Sequence, residues 1–147
     1  MSKRLLTCLS LTLLTAAFGC NGDSETDSAA AGSGDSPSAE FVKAVSDVEE
    51  LSEKIRSGFE SGDVDAAHGP LHDVGDRLND VAKLAAESGL SEADQKVAEE
   101  SVNTMFEAFS DVDKTLHGGE GATWEEVADK VNESLAKLTE LRDKVAS

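Results

Sequence analysis

From residue 41 to the end of the chain, apolar residues recur at spacings of three and four, with polar and charged residues between them. This period predicts amphipathic α-helices rather than strands, because it places the apolar side chains on one helical face. Glycine-containing breaks at residues 61–63, 88–89 and 118–121 divide the pattern into four segments. The four apolar stripes are Phe41, Val45, Val48, Leu51, Ile55 and Phe59; Leu71, Val74, Leu78, Val81 and Ala85; Ala98, Val102, Met105, Phe109, Val112 and Leu116; and Val127, Val131, Leu135, Leu138, Leu141 and Val145.

Local signals predict where three of these helices begin. The stretch 91–94 (SEAD) precedes the third stripe and is typical of a helix N-terminus, and the stretch 123–126 (TWEE) has the form of a capping box before the fourth. The second segment contains Gly69-Pro70, and proline is tolerated best in the first turn of a helix. We therefore expect the regular part of the second helix to begin at Pro70, with residues 64–68 forming a short turn or a loop.

Four helices of about 20 residues joined by short loops predict an all-α fold. The simplest arrangement is an antiparallel up-down-up-down four-helix bundle that occupies residues 39–147. A long coiled coil between chains is the alternative architecture, and the glycine-rich breaks argue against it.

The first 38 residues have a different character. Lys3 and Arg4 precede an uncharged apolar stretch, residues 5–18, which is shorter than the roughly 20 residues that a membrane-spanning helix needs. Residues 21–38 (NGDSETDSAAAGSGDSPS) are polar, acidic and rich in Ser, Gly and Ala. This layout predicts a secretory signal peptide at residues 1–19 and a flexible acidic linker at residues 20–38.

The sequence Ala17-Phe18-Gly19-Cys20 resembles the lipobox of bacterial lipoproteins. The resemblance implies that Cys20 receives diacylglycerol, that cleavage follows Gly19, and that the protein is exported and lipid-anchored to a membrane of the cell envelope, on its periplasmic or outer face. Cys8 leaves with the signal peptide, so Cys20 is the only cysteine of the mature chain, and lipidation accounts for an unpaired exported cysteine. The alternative is an ordinary signal peptide, cut near Ala16 or Gly19, that leaves a free thiol.

The chain carries 30 acidic and 13 basic residues, a formal net charge of −17 at pH 7. Residues 1–19 contain two of the basic residues and none of the acidic ones, so the mature chain would carry −19. Such a surface repels nucleic acid, which excludes a direct role on DNA or RNA, and it attracts cations and basic proteins. Most of this charge is explained by solvated helix faces.

All three histidines of the chain, His68, His72 and His117, are predicted to share one pole of the bundle. In an up-down-up-down order, the start of the second helix lies beside the end of the third. Imidazoles near carboxylates form the kind of site that Zn²⁺ or Cu²⁺ prefers, so these histidines are the candidate metal ligands. In the alternative interpretation His117 is an ordinary helix C-terminal residue and His72 is simply exposed. The carboxylates expected nearby are Glu60, Asp73, Glu120, Glu125 and Glu126.

The sequence offers no catalytic constellation, no phosphate-binding glycine loop and no C-x-x-C-H haem motif, so we expect no enzyme and no cofactor apart from a Zn²⁺ or Cu²⁺ ion. Trp124, the only tryptophan, is expected to cover one end of the core. Two functional hypotheses follow. The first is a membrane-tethered, non-catalytic interaction or structural module with a protein partner. The alternative is a metal-binding bundle of the cell envelope that uses the three histidines.

Overall fold

The computed structural model describes residues 36–147, which form an all-α four-helix bundle, as predicted. The helices are α1 (Pro37–Ser61), α2 (Val64–Ala85), α3 (Glu92–Leu116) and α4 (Trp124–Ala146). Helix α1 begins two residues before the predicted boundary at residue 39. The predicted signal peptide, the lipidation site Cys20 and all but the end of the predicted linker lie outside the described residues, and they stay predictions.

Side-chain caps begin the helices, and left-handed glycines end two of them. The hydroxyl oxygens of Ser36 and Ser91 each accept a hydrogen bond from the backbone N–H three residues later, at 3.2 Å. Gly62 (φ 75°) and Gly118 (φ 77°) follow α1 and α3 in the left-handed conformation that glycine adopts without strain. At the start of α4 the Thr123 N–H donates to the Glu126 carboxylate at 2.8 Å, and this bond lowers the pKa of Glu126. The capping residues predicted for α3 and α4 are therefore confirmed.

The predicted start of α2 is wrong. The helix begins at Val64, where Asp63 Oδ1 accepts a hydrogen bond from the Ala66 N–H at 3.1 Å, and it continues without a break through Pro70. Proline normally clashes with the Cβ of the preceding residue in a helix, but here that residue is glycine, which has no Cβ. Ala66, whose carbonyl loses its i+4 donor at Pro70, is exposed, so water can satisfy it.

Contacts between the helices join the opposite ends of neighbours. Ser38 at the start of α1 donates to the Ser88 carbonyl beyond the end of α2, at 3.0 Å. Phe59 near the end of α1 stacks on Trp124 at the start of α4, with ring centroids 5.6 Å apart. Lys144 near the end of α4 pairs with Asp94 at the start of α3, at 2.7 Å. These contacts are compatible with the predicted up-down-up-down order, in which each helix lies beside two others.

The apolar stripes meet in one core. Every residue of the α2 stripe is buried, while Leu51, Phe59 and Leu135 are only half-buried and pack against the edge of the core. Trp124 is buried, which confirms its expected position over one end of the core. None of the four described helices contains an apolar stretch long enough to cross a bilayer.

Candidate metal centre

The candidate centre lies where the early turns of α2 face the last turn of α3. Because α2 is helical from Val64, His68 and His72 stand one turn apart on the same helical face, the i, i+4 relation that brings two side chains together. Their Nε2 atoms are 3.0 Å apart. The continuity of α2 through Pro70 therefore creates the first half of the site.

The second half comes from the end of α3 and uses the same spacing. Asp113 lies in the last turn, and His117 is the C-cap residue, whose backbone N–H donates to the Asp113 carbonyl at 3.1 Å. The left-handed Gly118 then turns the chain away, and the Gly119 N–H donates to the Lys114 carbonyl at 2.8 Å. This termination keeps His117 one turn above Asp113, on the face directed at α2.

Four ligand atoms, one from each of these side chains, converge on a common point. His68 Nε2 lies 3.3 Å from His117 Nε2, and Asp113 Oδ1 lies 3.5 Å from His117 Nε2 and 3.8 Å from His72 Nε2. All four atoms lie within 4.8 Å of one another. In a tetrahedral zinc site with bonds of 2.0–2.1 Å, neighbouring ligand atoms are about 3.3–3.4 Å apart. Four of the six separations in this cluster, 3.0–3.8 Å, lie close to that spacing, and the other two are no longer than 4.8 Å, so a regular tetrahedral site needs the side chains to shift.

Hydrogen bonding within the protein leaves this cluster unsatisfied. His68 Nε2 contacts two other imidazole nitrogens, but a ring nitrogen has either one proton to donate or one lone pair to accept with. Asp113 Oδ1 is buried and has no hydrogen-bond partner among the described residues. A buried carboxylate oxygen without a partner is costly. A cation bound at the common point would use all four lone pairs at once.

The site is open to solvent on one side. The side chains of His72 and His117 are each 56% exposed, and that of Asp113 is 31% exposed. A metal ion can therefore reach the cluster without opening the core. None of the three histidines donates its Nδ1–H to another described residue, so the usual second hydrogen bond of a metal-bound imidazole is left to water.

Electrostatics at this pole favour a cation. The last turn of α3 presents the negative end of its helix dipole, and the chain as a whole carries a net charge of −17. The opposite dipole of α2 opposes this only weakly, because His68 lies beyond its first turn and the effect falls off within one turn. A divalent ion would also offset the charge of Asp113.

Three imidazole nitrogens and one carboxylate oxygen suit Zn²⁺ or Cu²⁺. Imidazole is a common ligand of both ions, whereas Mg²⁺ and Ca²⁺ prefer all-oxygen sites and Cu⁺ prefers sulfur. No other group of three or more metal-binding side chains converges in this way within residues 36–147.

The structure brings together all three histidines that the sequence singled out, but it places a different carboxylate beside them. Asp113 completes the cluster, and the expected neighbours Glu60, Asp73, Glu120, Glu125 and Glu126 are not among its members. The expectation took the carboxylates nearest to the chain breaks and to His72, and it did not consider the residue one helical turn before His117. The missed signal is the spacing of Asp113 and His117, which repeats the four-residue spacing of His68 and His72.

This chain matches no protein-family model, no curated protein and no solved structure in the comparisons made with each.

Proposed function

We propose that this protein binds one Zn²⁺ or Cu²⁺ ion through His68, His72, His117 and Asp113, at one pole of an exported bundle anchored by a lipid on Cys20. The observation that carries the proposal is the convergence of these four ligand atoms within 4.8 Å, two from each of two facing helices. The lipid anchor rests on the lipobox resemblance alone.

The proposal is for binding without catalysis. Four protein ligands complete a tetrahedral coordination sphere, as in sites that hold a metal rather than use it. The exposed histidines and the shortage of outer hydrogen bonds favour exchange with the surroundings, which suits a protein that sequesters or hands on a metal ion. The acidic surface supports capture, because it raises the local concentration of cations.

The test is a calorimetric titration of the metal-stripped protein with Zn²⁺ and with Cu²⁺. We expect one ion per chain for the metal that the site prefers. Asp113→Asn keeps the size of the side chain but weakens a ligand, and it should lower the affinity by at least about tenfold, since even outer-shell changes cost 10–100-fold.

Asp129→Asn is the matched control, because it removes the same charge from an exposed position on α4. It should bind like the unmodified chain. Equal losses in the two variants would mean that the metal responds to net charge rather than to this site. An absence of stoichiometric binding would leave the interaction-module hypothesis, which does not need the histidines.

A further inference from the structure

A groove between α2 and α3 opens directly beside the candidate metal centre. It has a volume of about 150 Å³, and His72 and Asp113, two of the four metal ligands, belong to its lining. The remaining walls are almost entirely apolar. They are formed by Leu71, Val74, Gly75 and Leu78 on α2 and by Phe106, Phe109 and the polar Ser110 on α3.

Two residues keep this groove open. Gly75 has no side chain, and a Cβ atom at its position would lie 3.5 Å from the ring of Phe106. Phe106 is 46% exposed, an unusual state for a large apolar side chain in a bundle whose other phenylalanines are buried or half-buried among residues 36–147. The Phe106 ring thus forms a wall of the groove that is partly exposed to solvent.

The groove meets the metal centre at the edge between His72 and Asp113. His72 Nε2 and Asp113 Oδ1 are 3.8 Å apart, the largest of the four contact distances that run around the ligand cluster. Zn²⁺ can expand its coordination from four to five, and Cu²⁺ favours tetragonal geometries with further positions. A fifth ligand entering through this edge would project its body into the groove.

We infer that the bound metal accepts one external ligand here, a neutral nitrogen heterocycle that carries a compact apolar group. The inference rests on the proposed metal site. The heterocycle nitrogen coordinates the metal between His72 and Asp113, and the apolar group lies against Phe106 and the α2 wall. An apolar cavity of about 150 Å³ is large enough for a benzene ring.

The lining of the groove favours a neutral ligand over an anionic one. No lysine or arginine lines the groove, and its one charged residue, Asp113, is acidic. The net charge of −17 adds a general repulsion of anions. A ligand of the same size that carries a carboxylate would therefore find no positively charged side chain in the groove, and only the metal ion would offset its charge.

The experiment titrates the metal-loaded protein with 4-phenylimidazole, imidazole and benzoate, after its metal content has been measured. We expect 4-phenylimidazole to bind about tenfold or more tightly than imidazole, because the phenyl ring is removed from water in the groove, and benzoate to bind more weakly than 4-phenylimidazole. The preference for the phenyl group should vanish when the metal is removed.

Gly75→Leu places a side chain in the groove and should abolish the preference while metal binding is retained. Asn79→Leu adds the same side chain to an exposed position of α2 outside the groove, and it should keep the preference. Phe106→Ala removes an exposed wall of the groove without disturbing the core, and it should also lower the preference for the phenyl group. This second variant keeps the test valid if Gly75→Leu alters the helix packing.

The outcomes separate the two proposals. Failure of the protein to bind metal overturns both of them. Stoichiometric metal binding with equal affinities for imidazole and 4-phenylimidazole overturns only the inference about the external ligand. A preference for the phenyl group that survives in both Gly75→Leu and Phe106→Ala, or in the metal-free protein, overturns the same inference. Tighter binding of benzoate than of 4-phenylimidazole would show that the site takes an anion.

Discussion

At the scale of single residues, Gly58 sets the approach of α1 to α2 beside the metal centre. A Cβ atom at Gly58 would lie 2.8 Å from the Ala67 Cβ and 2.9 Å from the Ala67 backbone nitrogen. These atoms belong to the backbone and its first carbon, so they cannot rotate away. Ala67 is fully buried and directly precedes the metal ligand His68, so this contact fixes the backbone next to the candidate centre.

Gly58→Ala should therefore destabilise the bundle. Overpacking costs roughly 1–3 kcal/mol, and the better helix propensity of alanine returns up to about 1 kcal/mol, so we expect a net loss of about 1–2 kcal/mol in the free energy of unfolding. Gly75→Ala is the comparison, because its Cβ would make only an ordinary contact at 3.5 Å, and it should stabilise the bundle. Urea denaturation of both variants measures the difference, and equal effects would contradict the role of Gly58.

At the scale of elements, α2 runs through a proline, and both halves of the metal centre depend on helical spacing. Gly69 before Pro70 removes one steric obstacle to this continuity, and the exposed position of Ala66 lets water satisfy the carbonyl that has no donor at Pro70. The preference of proline for the first turn of a helix predicted a start at Pro70. That preference takes no account of the glycine that precedes this proline. The Asp63 cap, which satisfies the Ala66 N–H, was the competing signal.

Pro70→Ala tests whether the proline only destabilises α2 or is also needed to position the metal ligands. Alanine restores a backbone donor to the Ala66 carbonyl and removes the contact of the proline ring with that carbonyl, which together are worth up to about 3 kcal/mol, while the less restricted unfolded chain costs about 0.4–1 kcal/mol. We expect the free energy of unfolding to rise by about 1–2 kcal/mol and the affinity for metal to stay within a few-fold, as measured by urea denaturation and calorimetry. A large loss of affinity would show that Pro70 itself positions the histidines.

At the scale of the whole molecule, a metal ion at this centre would join two helices whose connecting loop, residues 86–91, is at the opposite pole. The ligands come in equal number from α2 and α3, so the folded bundle binds the ion while the unfolded chain holds the ligands far apart. Binding energy then adds to folding stability.

We expect Zn²⁺ at 100 times its dissociation constant to stabilise the unmodified protein by about 2.7 kcal/mol, which corresponds to a rise of about 10 °C in Tm. Asp113→Asn at the same Zn²⁺ concentration should show about half that rise or less, given a loss of affinity of about tenfold or more. Thermal denaturation followed by circular dichroism, with and without a chelator, measures both. The same rise in both proteins would place the ion elsewhere on the acidic surface.

The sequence by itself determined the four helices, their core-facing stripes and the three histidines, because each depends on local signals. Apolar residues at spacings of three and four must face the core, and capping residues act within one turn. The order of the helices predicted that His68, His72 and His117 lie at the same pole, but it did not predict the distances between them. The groove, and the choice of Asp113 over the other carboxylates at this pole, were decided by the tertiary structure. The distance between two helices, and the faces that they turn to each other, depend on contacts such as that of Gly58 with Ala67, which join residues of different helices and leave no periodic signal.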